Sequence, residues 1–183
     1  MKIGGQREES FIWTLQDKSF LNQKGEFLIC PKKYIPVNWK YAYRWLEEQY
    51  QHKKGIKPRS ALIWVWIQRS YSEKAFYMAI TQLYSSYEYG LKNKVALVLK
   101  IPQDVILLSS YNRWNILLEY CMEFKRKPDS KIDWQPVFRI HDIPTYDYIQ
   151  GVIPFIKRNW IKKVIELDAK KLKRYGADFR KKF

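Results

Sequence analysis

Acidic side chains are scarce in this sequence: 18 Asp and Glu stand against 34 Lys and Arg, a formal net charge of +16. Cysteine and histidine are scarcer still, at two each. Two Cys cannot build a disulfide framework, and two Cys with two distant His argue against a structural zinc site. Cys30 and Cys121 both sit in apolar stretches and read as buried free thiols of a reducing cytosol. Only 7 Gly and 8 Pro are present, which excludes a low-complexity or linker-rich chain. There is no Gly-rich phosphate loop, no C-x-x-C and no G-x-S-x-G elbow. The N-terminus has no apolar signal-peptide core, and the longest apolar run, residues 61–67, is too short to cross a bilayer. These absences point to a cytoplasmic protein without a membrane segment and without a bound metal.

Apolar material is plentiful, at 46% hydrophobic and 17% aromatic residues. That suffices for one sizeable core, and 183 residues suit one domain. We divide it into a polar arm at 1–10, a core at 11–167 and a basic tail at 168–183. The last 27 residues carry eleven Lys or Arg against three Asp or Glu, half of the net charge. For a pI near 9.7, nucleic acid is the natural polyanionic partner. The candidate phosphate contacts are Lys157, Arg158, Lys162, Lys163, Lys170, Lys171, Lys173 and Arg174.

The periodicities predict an α+β domain, with a mixed central sheet, whole or split, flanked by helices and a basic helical tail. Residues 11–16 read as a strand, with Asp17 as the cap of a short helix ending at Gly25. A short strand at 26–30 stops at Pro31. Trp39, Tyr43, Leu46 and Tyr50 give one apolar face to a helix over 38–51. Residues 61–68 are too continuously apolar for a half-exposed strand and predict a central one. A helix is expected over 72–89 with Gly90 as its cap. Residues 94–101 and 105–108 form two strands, or one with a bend. The clearest amphipathic helix follows, capped by Ser110 or Asn112, with Trp114, Leu117, Leu118, Cys121 and Met122 on its face. Residues 125–146 predict a long loop. Residues 148–156 predict an edge strand because of Pro154, and a strand then a helix close the chain.

Among residues that carry chemistry, His52 reads as solvated. His141 beside Asp142 has the form of an oriented general base, although a loop hydrogen bond is the commoner fate of such a pair. Asp129, or Glu166 and Asp168 with Lys170, would have to serve a metal-dependent nuclease, and solvated surface is the simpler reading. Tyr84, Tyr87, Tyr89, Tyr146 and Tyr148 are candidates for stacking on bases, with packing as the alternative.

Residues 12–16, 42–46, 63–66 and 97–114, followed by Ile149-Gln150, Pro154-Phe155 and Trp160-Ile161, resemble the domain of unknown function 3841 family. That family implies no activity. The order of elements is also similar to the ADP-ribosyltransferase fold, which grips NAD in a cleft between two small sheets. This resemblance implies NAD as a cofactor, with Thr14, Gln16 and Gln150 as catalytic positions. Trp13, Trp64, Trp66 and Ser109 would lie at the dinucleotide, and Gln150 would stand where that fold usually has a glutamate. A glutamine supplies hydrogen bonds but no charge to an oxocarbenium-like transition state. The readings are therefore a basic nucleic-acid-associated protein with an ADP-ribosyltransferase-like nucleotide cleft, or a non-catalytic interaction or inhibitor protein, phage- or defence-related, that binds an acidic protein partner.

Overall fold

The computed structural model of the chain describes residues 11–68, 71–83, 91–143 and 147–180. Six strands form one sheet in the order β5-β6-β3-β1-β4-β8. They are β1 (Phe11–Asp17), β3 (Ile63–Gln68), β4 (Lys94–Leu99), β5 (Leu107–Ser110), β6 (Ile149–Ile153) and β8 (Ile161–Glu166). A second, two-stranded sheet pairs β2 (Phe27–Leu28) with β7 (Ile156–Lys157). The α+β class is as expected. The central sheet is not mixed, however: all five of its pairings are antiparallel, because β3, β4 and β5, which share one heading, are each seated beside β1, β6 or β8, which run the other way.

Strand alternation decides what each face meets. Trp13, Leu15, Trp64, Trp66 and Ala96 point to the side covered by the four described α-helices, whereas Ile63, Val65, Val95, Leu97 and Leu99 point away. Over one half of the helical side lie α1 (Lys40–Lys54) and α3 (Tyr111–Phe124), with Tyr43, Leu46, Trp114, Leu117 and Cys121 packed on Leu107, Val152 and Trp64. Over the other half lie α2 (Glu73–Leu83) and α4 (Ala169–Arg180), with Phe76, Tyr77, Ile80 and Leu172 packed on Trp13, Leu15 and Trp66. The opposite face is covered by Phe20, Ile101, Ile106 and the small sheet through Leu28 and Ile156. Ile106 closes over the sheet because residue 151 is glycine: a Cβ there would lie 2.6 Å from the Ile106 Cγ2.

Local signals account for most boundaries. Gly55 ends α1 in the left-handed conformation (φ 68°), and its N–H donates to the Gln51 carbonyl at 2.9 Å. Ser110 caps α3, its Oγ accepting from the Arg113 N–H at 3.1 Å. Residues 94–99 and 107–110 are two strands far apart in the sheet rather than one bent strand. Asp17 does not cap a helix. It ends β1 before a 3-10 turn at Lys18–Asn22, and its carboxylate pairs with Lys94 at 3.2 Å. The strand at Ile149–Ile153 is not an edge strand but lies between β5 and β3. Pro154 follows its last residue and so removes no ladder bond, and the Pro154 carbonyl accepts from Ser60 Oγ at 3.0 Å. Helix α2 is described to Leu83, and the rest of its expected span, with Tyr84, Tyr87, Tyr89 and Gly90, lies outside the described residues, as do Tyr146 and the arm at 1–10.

The described part of the long loop after α3 holds one short 3-10 turn, Gln135–Phe138. Arg113 pins it by donating to the Pro136 and Arg139 carbonyls, each at 3.1 Å, and to Asp142 Oδ1 at 2.9 Å. The tail is the helix α4. Asp168 Oδ1 accepts from the N–H groups of Lys170 (2.8 Å) and Lys171 (3.2 Å) at its start. Glu73 of α2 accepts from Lys171 Nζ at 2.5 Å and from the Tyr175 hydroxyl at 3.2 Å. The Lys171 hydrogen bond is the main cause that holds the Glu73 carboxyl below its ordinary pKa. A depressed carboxyl contributes stability above the ordinary carboxylate range and loses it as pH falls through the lowered value. Both groups are exposed, so the effect is local and small. Glu73→Gln is expected to speed hydrogen exchange of α4 amides at neutral pH without changing those of β4. Unchanged α4 exchange would show that packing alone holds the tail.

Candidate functional site: an aromatic cleft where the sheet forks

The sheet is incomplete at its centre. β1 pairs with β4 over Ile12–Asp17, but with β3 only over Phe11–Trp13. Beyond Trp13 and Trp66 the two strands part. At the fork the Thr14 hydroxyl donates to the Trp64 carbonyl at 2.6 Å, which replaces a ladder bond by a side-chain one. Gln16 Nε2 then donates to Thr14 Oγ1 at 2.9 Å. On the far side, the Ala61 N–H donates to the Cys30 carbonyl at 2.8 Å and ties the segment after β2 to the start of β3.

A cavity of about 270 Å³ fills this fork. Thr14 and Gln16 supply polar groups, and Trp39, Tyr43, Trp64 and Trp66 supply rings. Trp39 stacks on Tyr43 (centroids 6.1 Å, interplanar 16°), and Trp64 Nε1 donates to the Tyr43 hydroxyl at 2.8 Å, so the rings are held by one another. Burial pushes the Tyr43 hydroxyl up to about 12, which keeps it a neutral donor. Cys30 also lines the cavity. Burial first, and then the charge of Asp17, raise its thiol pKa, so it is not an activated nucleophile. The mouth is formed by Tyr34, Ile35 and Pro36; Tyr34 is 67% exposed, with Lys33 Nζ 5.4 Å from its ring centroid.

Of the residues singled out from sequence, Thr14, Gln16, Trp64 and Trp66 meet in this cleft. The other three lie beside it rather than in it. Ser109, Gln150, Trp66 and Trp13 are successive register partners across β5, β6, β3 and β1, and so share the helical face. Gln150 is 2% exposed. Its Nε2, Ser109 Oγ and Trp13 Nε1 are buried without a hydrogen-bond partner among the described residues. The His141–Asp142 pair is not arranged as a base and its orienter: Arg113 holds Asp142 and keeps its carboxyl below the ordinary range. Among the described residues no cluster of His, Cys, Asp or Glu could hold a metal. Nor is any described helix long and apolar enough to cross a membrane.

The basic residues divide in two. Arg158 donates to the carbonyls of Gly25 (2.8 Å), Leu21 (3.3 Å) and Gln23, and so closes the turn before β2. Lys171 is paired with Glu73, and Lys157 lies 5.2 Å from the Phe27 ring centroid and 4.0 Å from Glu26. Lys162 and Lys163 stand exposed on β8, and Lys170, Lys173 and Arg174 on α4. Lysines on an edge strand also deter pairing with another sheet. β8 is two strand spacings from β1, roughly 10 Å.

Sequence reasoning missed the segment that roofs the cleft, Cys30 to Tyr43. Tyr43 lies on the expected helix face, whereas Trp39 stands in a 3-10 turn, Val37–Trp39, just before α1. The available signal was Pro31-Lys32-Lys33-Tyr34-Ile35-Pro36, two prolines bracketing an aromatic and two cations.

Fold and cleft together define an α+β protein whose antiparallel sheet is forked around an aromatic cavity. The model of the domain of unknown function DUF3841 matches residues 6–132, more than half of the chain, and the protein belongs to that family. The match contains every residue that lines the cleft and excludes Gln150 and α4. No curated protein and no solved structure matches the chain.

Proposed function

We propose that this chain binds single-stranded nucleic acid by taking one unstacked base into the β1–β3 cleft. The observation that carries the reading is the cleft itself: rings on its walls, the Thr14–Gln16 pair at its fork, and Lys33 with Tyr34 at its mouth. Aromatic walls stack on any base, amide and hydroxyl groups meet base edges, and exposed cations meet the phosphates. The net charge of +16 supplies the long-range attraction. Ligand pockets usually start at about 300 Å³. A cavity of about 270 Å³ suits one base better than a dinucleotide.

Titration with a single-stranded oligonucleotide at low salt should quench tryptophan fluorescence, since Trp39 and Trp64 line the cavity. Tyr34→Ala is expected to weaken binding by about 5- to 150-fold, the range for one lost stacking partner. Because Tyr34 is exposed, its loss leaves the fold intact. Lys33→Ala should lower the slope of log K against log salt by about 1. Binding that is absent at low salt, or unaltered by Tyr34→Ala, would sink the reading.

NAD remains the second ligand for this cleft because Thr14, Gln16, Trp64 and Trp66, the residues the ADP-ribosyltransferase likeness selects, line it together. Nicotinamide release from labelled NAD that disappears in Gln150→Ala would favour that likeness. Absence of release leaves base capture as the function.

A further inference from the structure

A second concavity lies on the other side of the segment that roofs the cleft, and the two share no residue. It has a volume of about 420 Å³ and runs between the start of α1 and the end of α3. Its apolar lining is Val37, Tyr41 and Met122; its charged lining is Lys40 and Lys125, with no acidic residue. Glu119 and Glu123 are on α3 but do not line it. Val37 is 79% exposed, the most exposed large hydrophobic side chain among the described residues, and Met122 is 36% exposed. Nothing described in the chain covers them.

The end of α3 is unusual in its backbone. Lys125 takes φ 50°, ψ 35°, and it is the one non-glycine residue with positive φ among the described residues. Helices commonly end in this left-handed conformation, but on glycine, because a Cβ there meets the carbonyl oxygen that follows. Two other left-handed turns in this chain, at Gly25 and Gly55, do use glycine. At residue 125 the chain accepts the strain and gains a cation on the groove's rim. Strain retained against an easy alternative points to use of the side chain.

We propose that this groove docks an acidic protein segment, one that seats an apolar side chain between Val37 and Met122 and sets carboxylates against Lys40 and Lys125. The argument for this occupant is charge complementarity: both cations on the lining are unopposed by any acid there, and a partner bearing carboxylates supplies what the lining lacks. Lys40 Nζ, 4.9 Å from the Tyr41 ring centroid, already lies over the groove's aromatic wall. A nucleic-acid strand would also meet the lysines but would gain little from Val37 and Met122.

The test uses the full chain and two fluorescein-labelled peptides of equal charge, Glu-Asp-Leu-Phe-Asp-Glu and Glu-Asp-Gly-Ser-Asp-Glu. The apolar peptide is expected to bind about tenfold more tightly, from burial of one large side chain. Val37→Asp should abolish that difference. Lys125→Gly should raise Tm by roughly 2 to 4 °C through relief of the backbone strain, while weakening the apolar peptide about threefold, the loss expected for one exposed ion pair. A variant that is more stable yet binds less well cannot be explained by damage to the fold. Equal binding of both peptides, or a Lys125→Gly protein that gains stability and loses no affinity, overturns the proposal. So does displacement of the apolar peptide by an oligonucleotide that Val37→Asp weakens equally, which would assign the groove to nucleic acid. Tyr34→Ala, on the cleft side of the segment, should leave peptide binding unchanged, so the failure of either site is visible without the other.

Discussion

Trp13→Ala is expected to cost about 3–5 kcal/mol of stability, the usual range for removing a large buried aromatic side chain. For a chain of this length that is a fall in Tm of roughly 6 to 20 °C. Trp13 is fully buried on the central strand and touches rings on both sides, Phe76 edge-on at 5.1 Å and Trp66 at 6.1 Å. It therefore joins α2 to the fork of the sheet. Neither neighbour can collapse into the space: Phe76 is held by its own helix, and Trp66 is paired in register with Gln150. Trp13→Phe separates ring loss from loss of the indole N–H. That N–H has no partner among the described residues, so removing it forfeits no hydrogen bond. The phenylalanine variant should keep most of the stability, losing only part of the packing volume. Thermal unfolding of the three proteins decides the matter, and an alanine variant within about 1 kcal/mol of the parent would mean that the region repacks.

Much of this architecture was legible because it is local. The three-four spacing of Tyr43, Leu46 and Tyr50 specifies one buried helix face, and all three are buried on α1, whereas Trp39, one step earlier in the pattern, falls in the 3-10 turn before the helix and is half-buried. The unbroken apolar run before Gln68 specifies a strand with neighbours on both sides, which β3 has in β1 and β6. Ser110 and Asn112 both offer a cap for α3, and the structure uses Ser110. What was not legible is set by partners distant in sequence. Arg158 reads as one more cation of a basic tail until its hydrogen bonds to carbonyls 133 to 137 residues earlier are seen. Pro154 within the apolar run 148–156 points to an edge strand, and only the register shows that the ladder ends at Ile153, one residue sooner.

The candidate site divides in the same way. Thr14, Gln16, Trp64 and Trp66 are the residues on β1 and β3 that the ADP-ribosyltransferase likeness selects, and pairing brings them to one fork. The fork itself is where the β1–β3 ladder ends after Trp13 and Trp66, and composition does not encode where a ladder stops. The roof over it depends on how residues 30–43 turn back across the sheet, a tertiary matter that two prolines only hint at.

Gln150→Met is expected to raise stability by about 1–3 kcal/mol, or roughly 2 to 12 °C in Tm. The carboxamide is 2% exposed, its Nε2 is without a partner among the described residues, and Ser109 Oγ, one register step away, is equally unpartnered. A buried polar group left unpaired forfeits the hydrogen bonds it had in water, and methionine has nearly the same volume without that penalty. Ser109→Ala should act in the same direction, and the double variant should gain less or more than the two single gains together, because the residues are neighbours and share any bound water. The comparison with oligonucleotide affinity gives the prediction its reach. If Gln150→Met gains stability and binds as before, the polar row beneath the helices is a structural imperfection, and the cleft ends at Trp66. If it gains stability and loses affinity, a ligand satisfies those buried groups when bound, and the site extends through the sheet from Thr14 to Ser109. If it loses stability, Gln150 is already hydrogen-bonded in solution, and it belongs with the core rather than with any site.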